Sequence, residues 1–451
     1  MQPDGLGQPR RFFALVVITI ATVITAVGGM MVNLALPSLS RDFAVEPAHI
    51  VWVVNVYQVV IAICLFPLGA LGERFGHKTI YFWGMLLFTV GSALCAEASG
   101  FATLIAARAL QGIGAAGIMS VNIALVRFIF PRRLIGRGIG YNTLIVALST
   151  TAGPTLGSLI LSVAPWPWLF IVNIPLGVIG TVLAAAALPP SPRSSRAHDW
   201  AGAGLIALAV GLPILAVDGI GRGDAIPLLA VQFVLGILFL VLLVRHQLAR
   251  PEPMLPLDLL RTPIIRLSAA TSSCSYIVQG LSFVALPFYF HDSLGLDLLD
   301  VGLLMTPWPL AVAVASPISG RLSDRYSAGA LGTLGLALLA LGMALLALLP
   351  AAPAHWDILW RMSLCGLGFG LFQTPNSRAI IMHAPANRSG GASAIQAGSR
   401  LLGQALGAAL VATIFGSLPQ LGPIGAIYLG ALFAGLACLV SSLRLDWRKT
   451  T

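Results

Sequence analysis

Two arginines lie inside long apolar stretches of the sequence, where an isolated charge indicates a specific task. Arg108 precedes Gln111 by three residues, which places both side chains on one face of a helix. Arg400 lies four residues from both Gln396 and Gln404, so these three also share a face. Guanidinium groups bind carboxylate and phosphate oxygens through paired hydrogen bonds. Both faces are therefore predicted to line a substrate cavity; the alternative is that the arginines only cap backbone carbonyls near helix ends.

Amide and phenol side chains recur in the same apolar stretches. Polar groups in such stretches prefer protein or water to lipid. For any single residue, interhelical hydrogen bonding is the better explanation, whereas the whole set outlines a polar pathway. The predicted cavity residues are Asn33, Asn55, Tyr57, Gln58, Arg108, Gln111, Gln373, Asn376, Gln396, Arg400 and Gln404.

The acidic residues avoid the middles of the apolar stretches. All sixteen fall in connecting segments or near the ends of a stretch. A cationic substrate would need a buried carboxylate to replace its hydration shell, and no such carboxylate is evident. The sequence therefore predicts a substrate that is anionic, zwitterionic or neutral and lipophilic. A proton site is equally unmarked, and the open candidates are Glu97, Asp218, Asp292, Asp297, Asp300 and His383.

The elements that must position these residues are membrane helices. The 451 residues are 57% hydrophobic and 9% charged, whereas a soluble protein carries about 25% charged residues. A membrane-spanning helix needs about 20 apolar residues. The sequence predicts an all-α integral membrane protein with fourteen spans, at 12–36, 49–71, 79–97, 102–126, 140–162, 165–188, 200–218, 225–244, 266–290, 300–319, 328–350, 358–381, 390–417 and 423–443.

The basic residues are distributed unevenly between the connecting segments. Alternate segments, beginning with the N-terminus, hold 21 of the 26 lysines and arginines, and the segments between them hold only Arg41, Arg222 and Arg361. Cytoplasmic loops carry this excess of positive charge. Both termini are therefore predicted to be cytoplasmic in a multi-pass protein of the cytoplasmic (inner) membrane. The net charge of +10 reflects this topology, so nucleic acid is not an expected partner.

Two heptapeptides share one pattern, Gly-x-Leu-x-acid-Arg-aromatic, at 69–75 and 320–326. They follow predicted spans two and ten, which are equivalent positions if the chain contains two six-span repeats. The predicted organisation is an N-terminal six-helix bundle at 1–188, a linker with two additional spans at 189–262, and a C-terminal six-helix bundle at 263–451. Glu73, Arg74, Asp324 and Arg325 are predicted to gate the cytoplasmic side through ionic contacts that break on opening; solvated charges in a tight turn are the alternative.

The chain resembles the major facilitator superfamily, and within it the fourteen-span drug:proton antiporters of the EmrB/QacA type. The resemblance covers nearly the whole chain. It rests on Asn33 to Pro37 in span one, the loop signature Gly69 to Lys78, Arg108 to Gly114 in span four, Gly153 to Gly157 in span five, Trp166 to Pro175 at span six, and Gly366 to Asn376 in span twelve.

The resemblance implies the major facilitator fold, with two six-helix bundles around a central cavity and two inserted helices. It adds Gly69, Gly76, Lys78 and Gly320 to the gating residues, and it makes Gly153, Pro154 and Gly157 the kink of an antiporter motif. It also implies that a transmembrane proton gradient supplies the energy and that no cofactor or metal is needed. The chain departs from the family at Gly28, where an acidic residue is usual, so the coupling residue is left open.

The function predicted is proton-coupled efflux of multiple drugs or other small molecules by alternating access. Import or exchange of an organic anion on the same fold is the alternative within transport, and a non-transporting membrane sensor is the alternative from another class. No catalytic cluster is evident, so enzymatic activity is not expected. The expected partners are the substrate, protons and the lipid bilayer. A periplasmic adaptor, the transport direction and the oligomeric state are left open.

Overall fold

The computed structural model describes residues 5–131, 134–191, 198–250, 253–385 and 389–445 of the chain. Every regular element within those ranges is helical. The first ten helices are α1 (Arg10–Asp42), α2 (Pro47–Ile50), α3 (Trp52–Phe75), α4 (His77–Ala96), α5 (Phe101–Ile129), α6 (Ile135–Val163), α7 (Trp168–Ile171), α8 (Asn173–Ala187), α9 (Trp200–Arg222) and α10 (Ile226–Leu248).

Seven further helices complete the described chain. A 3-10 turn precedes α11, and a π-helical turn follows it. The bounds are Leu257–Arg261 for the 3-10 turn, α11 (Pro263–Phe288), Tyr289–Ser293 for the π-helical turn, α12 (Leu298–Met305), α13 (Pro307–Leu322), α14 (Ala328–Ala347), α15 (His355–Met382), α16 (Ser389–Ser417) and α17 (Gly422–Ser442).

Thirteen of the fourteen predicted spans coincide with helical segments that are long and apolar enough to cross a membrane, counted over the described residues. The remaining prediction, 358–381, falls on α15, a helix of 28 residues. Length is therefore sufficient there, but α15 is less apolar because it carries Arg361, Gln373, Asn376 and Arg378 along its course. Charged and amide groups in a span indicate a helix that faces other protein or water rather than lipid.

Contacts between residues divide the chain into two units. The first unit comprises Met1–Val45 with Trp52–Ala207, and the second comprises Glu46–Val51 with Leu208–Thr451. Helix α2 thus belongs to the second unit, where it packs on α16. The predicted domain limits at 188 and 262 stay a prediction.

Each unit uses the same scheme of helix packing. In the first unit α1 packs on α6 and α8, α3 packs on α5, and α4 packs on α5 and α8. In the second unit α11 packs on α16 and α17, α13 packs on α15, and α14 packs on α15 and α17. The helices therefore correspond one to one in chain order, as expected for an internal repeat.

Glycines at equivalent positions permit the closest helix crossing in each unit. A Cβ atom at Gly84 in α4 would lie 2.9 Å from the carbonyl oxygen of Gly114 in α5, and a Cβ atom at Gly335 in α14 would lie 2.6 Å from that of Gly368 in α15. Such distances exclude any side chain, so the backbones themselves are in contact. This shared contact aligns α5 with α15 residue by residue, which identifies equivalent positions in the two units.

The two heptapeptides end in different turns. Gly76, immediately after α3, has φ of 100°, a left-handed conformation that favours glycine, and it leads directly into α4. The equivalent Ser327 has φ of −66°, and its hydroxyl accepts a hydrogen bond from the amide of Ala330 to cap α14. Only the first repeat therefore requires glycine at this position.

Candidate functional site

Arg108 is the centre of a buried polar cluster in the first unit. The residue is only 1% exposed. Its Nε donates to the carbonyl oxygen of Val53 on α3 at 2.9 Å, and its Nη1 donates to Oε1 of Gln111 at 2.5 Å. Gln111 extends the cluster, because its Nε2 donates to Oγ of Ser92 on α4 at 2.8 Å. The predicted helical face of Arg108 and Gln111 is thus joined by a direct hydrogen bond.

Aromatic rings enclose the Arg108 guanidinium. Its Cζ lies 4.1 Å from the ring centroid of Tyr57 and 5.8 Å from that of Phe170. Desolvated cation–π contacts of this kind contribute about 2 kcal/mol. Within the described ranges no carboxylate pairs with Arg108, and its Nη2 has no hydrogen-bond partner. Amide, carbonyl and aromatic groups thus surround the positive charge, and the Nη2 donor could still bind another group.

Three further predicted cavity residues in the first unit have unsatisfied amide atoms. Asn55 on α3 is fully buried, and neither its Oδ1 nor its Nδ2 finds a partner among the described residues. The same holds for Oδ1 of Asn33 on α1 and for Oε1 of Gln58 on α3. A buried polar atom without a partner costs about 1–3 kcal/mol. Water or a bound molecule is therefore expected to contact these amides.

The second unit carries the predicted stripe on α16. Gln404 donates through Nε2 to Oε1 of Gln279 on α11 at 2.7 Å, and Gln396 donates to the hydroxyl of Ser377 on α15. Arg400 lies between these two amides and is half-buried. In the part of the chain that the structure describes, Arg400 makes no hydrogen bond or ion pair, although it interacts electrostatically with the Tyr276 phenol. The Arg400 guanidinium could therefore bind another group.

Tyr276 connects this stripe to Gln373. Nε2 of Gln373 on α15 donates to the Tyr276 hydroxyl at 3.0 Å. The Tyr276 ring packs edge to face on Phe369, with 5.4 Å between the centroids. The phenol is thus fixed between an amide and an arginine. The sequence prediction omitted Tyr276 because a tyrosine in an apolar helix is as common in packing as in a site.

Asn376 belongs to a separate buried network whose charge is Arg444. Arg444 follows α17 and is 2% exposed. Its Nη1 donates to Oδ1 of Asn376 at 2.6 Å and to Oγ of Ser268 on α11 at 2.8 Å, and Nη2 donates to Oγ of Ser441 at 2.7 Å. Burial lowers the pKa of Arg444 to about 10, so the guanidinium is still charged at neutral pH.

Sequence reasoning missed this role of Arg444, because the residue counts as one more basic residue after the last span. No local signal distinguishes it from the basic residues that follow it. Its three hydrogen-bond partners come from α11, α15 and α17, which meet only in the folded unit. Asn376 therefore contributes to a structural junction, and its predicted contact with substrate stays a prediction.

In the first gating motif some residues contact neighbouring helices, whereas others are exposed. Glu73 and Arg74 are exposed at the end of α3, and Cζ of Arg74 lies 5.3 Å from the ring centroid of Phe75. Nζ of Lys78 donates to the carbonyl oxygen of Ala185 at the end of α8 at 2.7 Å. Gly69 faces Ser120 of α5 at ordinary contact distance. Among the described residues, none forms an ion pair with Glu73.

The second gating motif contains an ion pair. Asp324 accepts from Nη1 of Arg378, in the last turns of α15, at 2.6 Å, and the same Nη1 donates to Oγ of Ser323 at 3.0 Å. Gly320 faces Thr374 as Gly69 faces Ser120. The position of α5 equivalent to Arg378 is Ala124, which explains why Glu73 lacks the matching pair. Arg325, next to Asp324, is exposed.

We predict that Glu73→Ala lowers turnover by about fivefold, because its exposed carboxylate is expected to form an ion pair, worth about 1 kcal/mol, in a conformation other than the one described. Binding should change less than turnover, because Glu73 lies at the end of α3, away from the Arg108 cluster near its beginning. Asp324→Asn should behave similarly, since it removes one exposed ion pair. Transport kinetics and equilibrium binding of the same compound measure both quantities. A variant whose affinity falls while its turnover is unchanged would contradict gating by these residues.

The antiporter motif and Gly28 both lie against other helices of the first unit. A Cβ atom at Gly153 would lie 2.8 Å from Cβ of Met30, and one at Gly157 would lie 3.2 Å from Cα of Met31, so α6 packs closely on α1 around Pro154. A Cβ atom at Gly28 would lie 3.5 Å from Nδ2 of Asn173. An acidic side chain at position 28 would therefore meet a buried amide of α8, which already occupies the neighbouring space.

Comparisons with known proteins agree with this architecture. The family model described as Major Facilitator Superfamily matches residues 18–408. An uncharacterized transporter YebQ of Escherichia coli K12 is 45% identical over 447 residues, which are 99% of this chain and 98% of the relative. The riboflavin transporter RibZ of Clostridioides difficile is 29% identical over 408 residues, 90% of this chain and 88% of the relative.

A third relative is named for drug resistance. The multidrug resistance protein Stp of Mycobacterium tuberculosis is 32% identical over 398 residues, which are 85% of this chain and 72% of the relative. The repeated helix packing, the glycine crossings and the match over most of the chain all agree. The chain is a multi-pass membrane transporter that belongs to the Major Facilitator Superfamily.

Proposed function

We propose that the chain is a proton-coupled exporter of small lipophilic molecules that are neutral or negatively charged. The observation that supports this proposal is the set of groups that surrounds each of the two arginines within helices, Arg108 and Arg400. Arg108 is bound by a carbonyl, an amide and aromatic rings, and Arg400 lies beside amides and a phenol; neither has a carboxylate partner within the described ranges. A ligand with a carboxylate, a phenolate or an array of carbonyl acceptors would complete either cluster.

The charge balance also argues against a polycationic substrate. Of the acidic side chains that the structure describes, only Asp199 and Asp218 are buried, and neither lies in α1, α3 or α5 with the Arg108 cluster. Bringing a quaternary ammonium beside Arg108 would place two like charges in a medium of low dielectric constant, which costs several kcal/mol. A neutral heterocycle or an anion avoids this cost.

Two relatives support this substrate range. One is named for multidrug resistance and another for riboflavin, a neutral molecule whose planar ring system carries two carbonyl groups. The second of these favours a second candidate function, transport of a nutrient-like heterocycle, which would use the same clusters. The two functions differ in the direction of transport. For either function we propose the inner membrane as the location, with both termini in the cytoplasm, because the distribution of basic residues predicts this topology.

Transport in proteoliposomes tests the proposal. Purified protein is reconstituted, a pH gradient is imposed, and movement of ethidium, riboflavin and fluorescein is compared with that in protein-free vesicles. We expect riboflavin or fluorescein to move against its gradient when protons flow the other way, and ethidium to stay at the rate of the empty vesicles. Ethidium as the preferred compound would refute the substrate assignment, and movement that ignores the pH gradient would refute proton coupling.

A further inference from the structure

Two cations of the first unit meet at the end of one helix. Arg10 begins α1 and Lys78 is the second residue of α4, and both helices pack on α8. Nε of Arg10 donates to the carbonyl oxygen of Ala187 at 3.2 Å, and Nζ of Lys78 donates to that of Ala185 at 2.7 Å. These acceptors are two residues apart, about 3 Å along the helix axis. The two positive charges are therefore close enough to interact electrostatically.

The charges of Arg10 and Lys78 are only partly balanced. Within the described ranges neither residue forms an ion pair, and their partners are the carbonyl oxygens at the end of α8. A helix C-terminus carries about half a negative charge, which offsets a fraction of two positive charges. Both side chains also keep further N–H donors. Arg10 is exposed and Lys78 is half-buried, so an anion could reach both of them.

The second unit shows that the fold does not require cations at this junction. The position of α14 equivalent to Lys78 is Gly329, at the spacing of 251 residues that also separates the two heptapeptides. A Cβ atom at Gly329 would lie 2.6 Å from the carbonyl oxygen of Arg444, just after α17, so no side chain fits there. The backbone thus closes the junction in the second unit, whereas long cationic side chains bridge it in the first.

Exposed aromatic rings lie about one turn further along the same two helices. Phe13 follows Arg10 by three residues and Phe82 follows Lys78 by four, so each ring shares a helical face with its cation. Phe13 is 44% exposed, and Trp83, whose ring meets that of Phe82 edge to face, is 54% exposed. Both helices begin at this end and are long enough to cross the membrane, so the rings lie deeper in it than the cations. Cations above exposed rings match a molecule with an anionic headgroup and apolar chains.

Buried contacts hold the three helices together below the cations. The hydroxyl of Tyr81, one turn after Lys78, donates to the carbonyl oxygen of Val17 on α1 at 3.4 Å. A Cβ atom at Gly180 on α8 would meet Met85 of α4 and Ile20 of α1, so α8 packs closely on both helices. The positions of the two cations are therefore set by contacts within the first unit.

We propose that Arg10 and Lys78 bind the phosphate group of an anionic phospholipid, whose acyl chains lie along Phe13, Phe82 and Trp83. A zwitterionic headgroup fits less well, because its ammonium would lie near two cations that have no acidic partner within the described ranges. Each cation near a membrane surface raises the affinity for anionic lipid about fivefold, so the pair contributes about 30-fold. Lys78 belongs to the first gating motif, so the bound lipid would link that motif to the bilayer.

Lipid binding to the delipidated full-length protein in a nonionic detergent tests this site. Thermal unfolding is followed while short-chain phosphatidylglycerol is added, because a ligand that binds the folded protein raises Tm according to its concentration relative to Kd. Phosphatidylcholine of the same chain length tests the need for net negative charge. Glycerol phosphate and inorganic phosphate test whether a free anion is sufficient. We expect phosphatidylglycerol to bind most tightly and each of the other three compounds to bind more weakly.

Variants of the two cations test the residues. Arg10→Gln and Lys78→Gln should each weaken phosphatidylglycerol binding about fivefold, and the double variant should weaken it about 30-fold. The exchange Arg10→Lys with Lys78→Arg keeps both charges and should retain the affinity. The matched control is Arg266→Gln. Arg266 is an exposed arginine near the start of α11, the helix equivalent to α1, and the second unit has Gly329 in place of Lys78, so this variant should bind as the wild type does.

Each outcome supports or overturns the lipid site. Wild-type affinity in the single and double variants would exclude these residues, and the single variants decide if the double variant does not fold. An equal loss in Arg266→Gln would mean that the lipid responds to total surface charge. Equal affinity for phosphatidylcholine would refute the preference for an anionic headgroup. Equal affinity for glycerol phosphate or inorganic phosphate would mean that the site takes a free phosphate group rather than a lipid.

Discussion

Arg108→Ala is expected to lower transport by about a hundredfold or more while the protein remains abundant in the membrane. The substitution removes two hydrogen bonds from a charged donor, each worth about 1.5–3 kcal/mol, and the cation–π contact with Tyr57. It also removes the unsatisfied Nη2 donor that we assign to substrate. Initial transport rates, normalised to the amount of protein in the membrane, measure the effect.

Two variants control this prediction. Arg108→Lys keeps the charge but loses the forked donor geometry, so it should be intermediate. Arg361→Ala removes an arginine from α15 that donates to the carbonyl oxygen of Leu345 at 3.0 Å, and it should transport normally. If Arg108→Ala transports as well as the wild type, the cluster is a packing device, and the capping alternative is the correct one.

The second large effect is expected for Gly114→Ala. A Cβ atom there would lie 2.3 Å from the backbone nitrogen of Phe88, and a backbone atom cannot move aside as a flexible side chain would. The helices α4 and α5 must separate, and overpacking of this kind costs about 1–3 kcal/mol or more. Gly368→Ala should have the same effect in the second unit, because its Cβ atom would lie 2.5 Å from the backbone nitrogen of Leu339.

Thermal unfolding in detergent measures this loss, and α17 supplies the control. Gly435 is also in a helix interior, yet no atom lies within 4 Å of the Cβ position. Gly435→Ala should therefore be neutral or raise stability by up to about 1 kcal/mol through helix propensity. A normal Tm for Gly114→Ala would mean that the α4–α5 contact can open without cost. A normal Tm for Gly368→Ala alone would mean that the two units are less alike than their contacts indicate.

The helix positions and the family could be predicted from the sequence, because both depend on periodicity, composition and local motifs. It predicts helices at all fourteen positions, and the family resemblance is confirmed by the match over residues 18–408. It predicts that Arg108 and Gln111 share a face because that requires only helical spacing, and the structure joins them.

The partners that come from distant segments could not be predicted in this way. Asp324 pairs with Arg378, which is 54 residues away in the sequence. Gly28 marks a missing acid in the sequence, but only the folded chain shows Asn173 beside it. In each case helix packing decides what a local pattern leaves open.

The Arg444 network sets an order for assembly of the second unit. Its hydrogen bonds reach back 176 residues to Ser268 and 68 residues to Asn376. At about 5–20 residues per second, roughly 10–35 s pass between synthesis of Ser268 and of Arg444. During that interval α11 and α15 are already made, but the charge that joins them has not left the ribosome. The junction of α11, α15 and α17 is therefore completed only after α17 and the Arg444 that follows it have been synthesised.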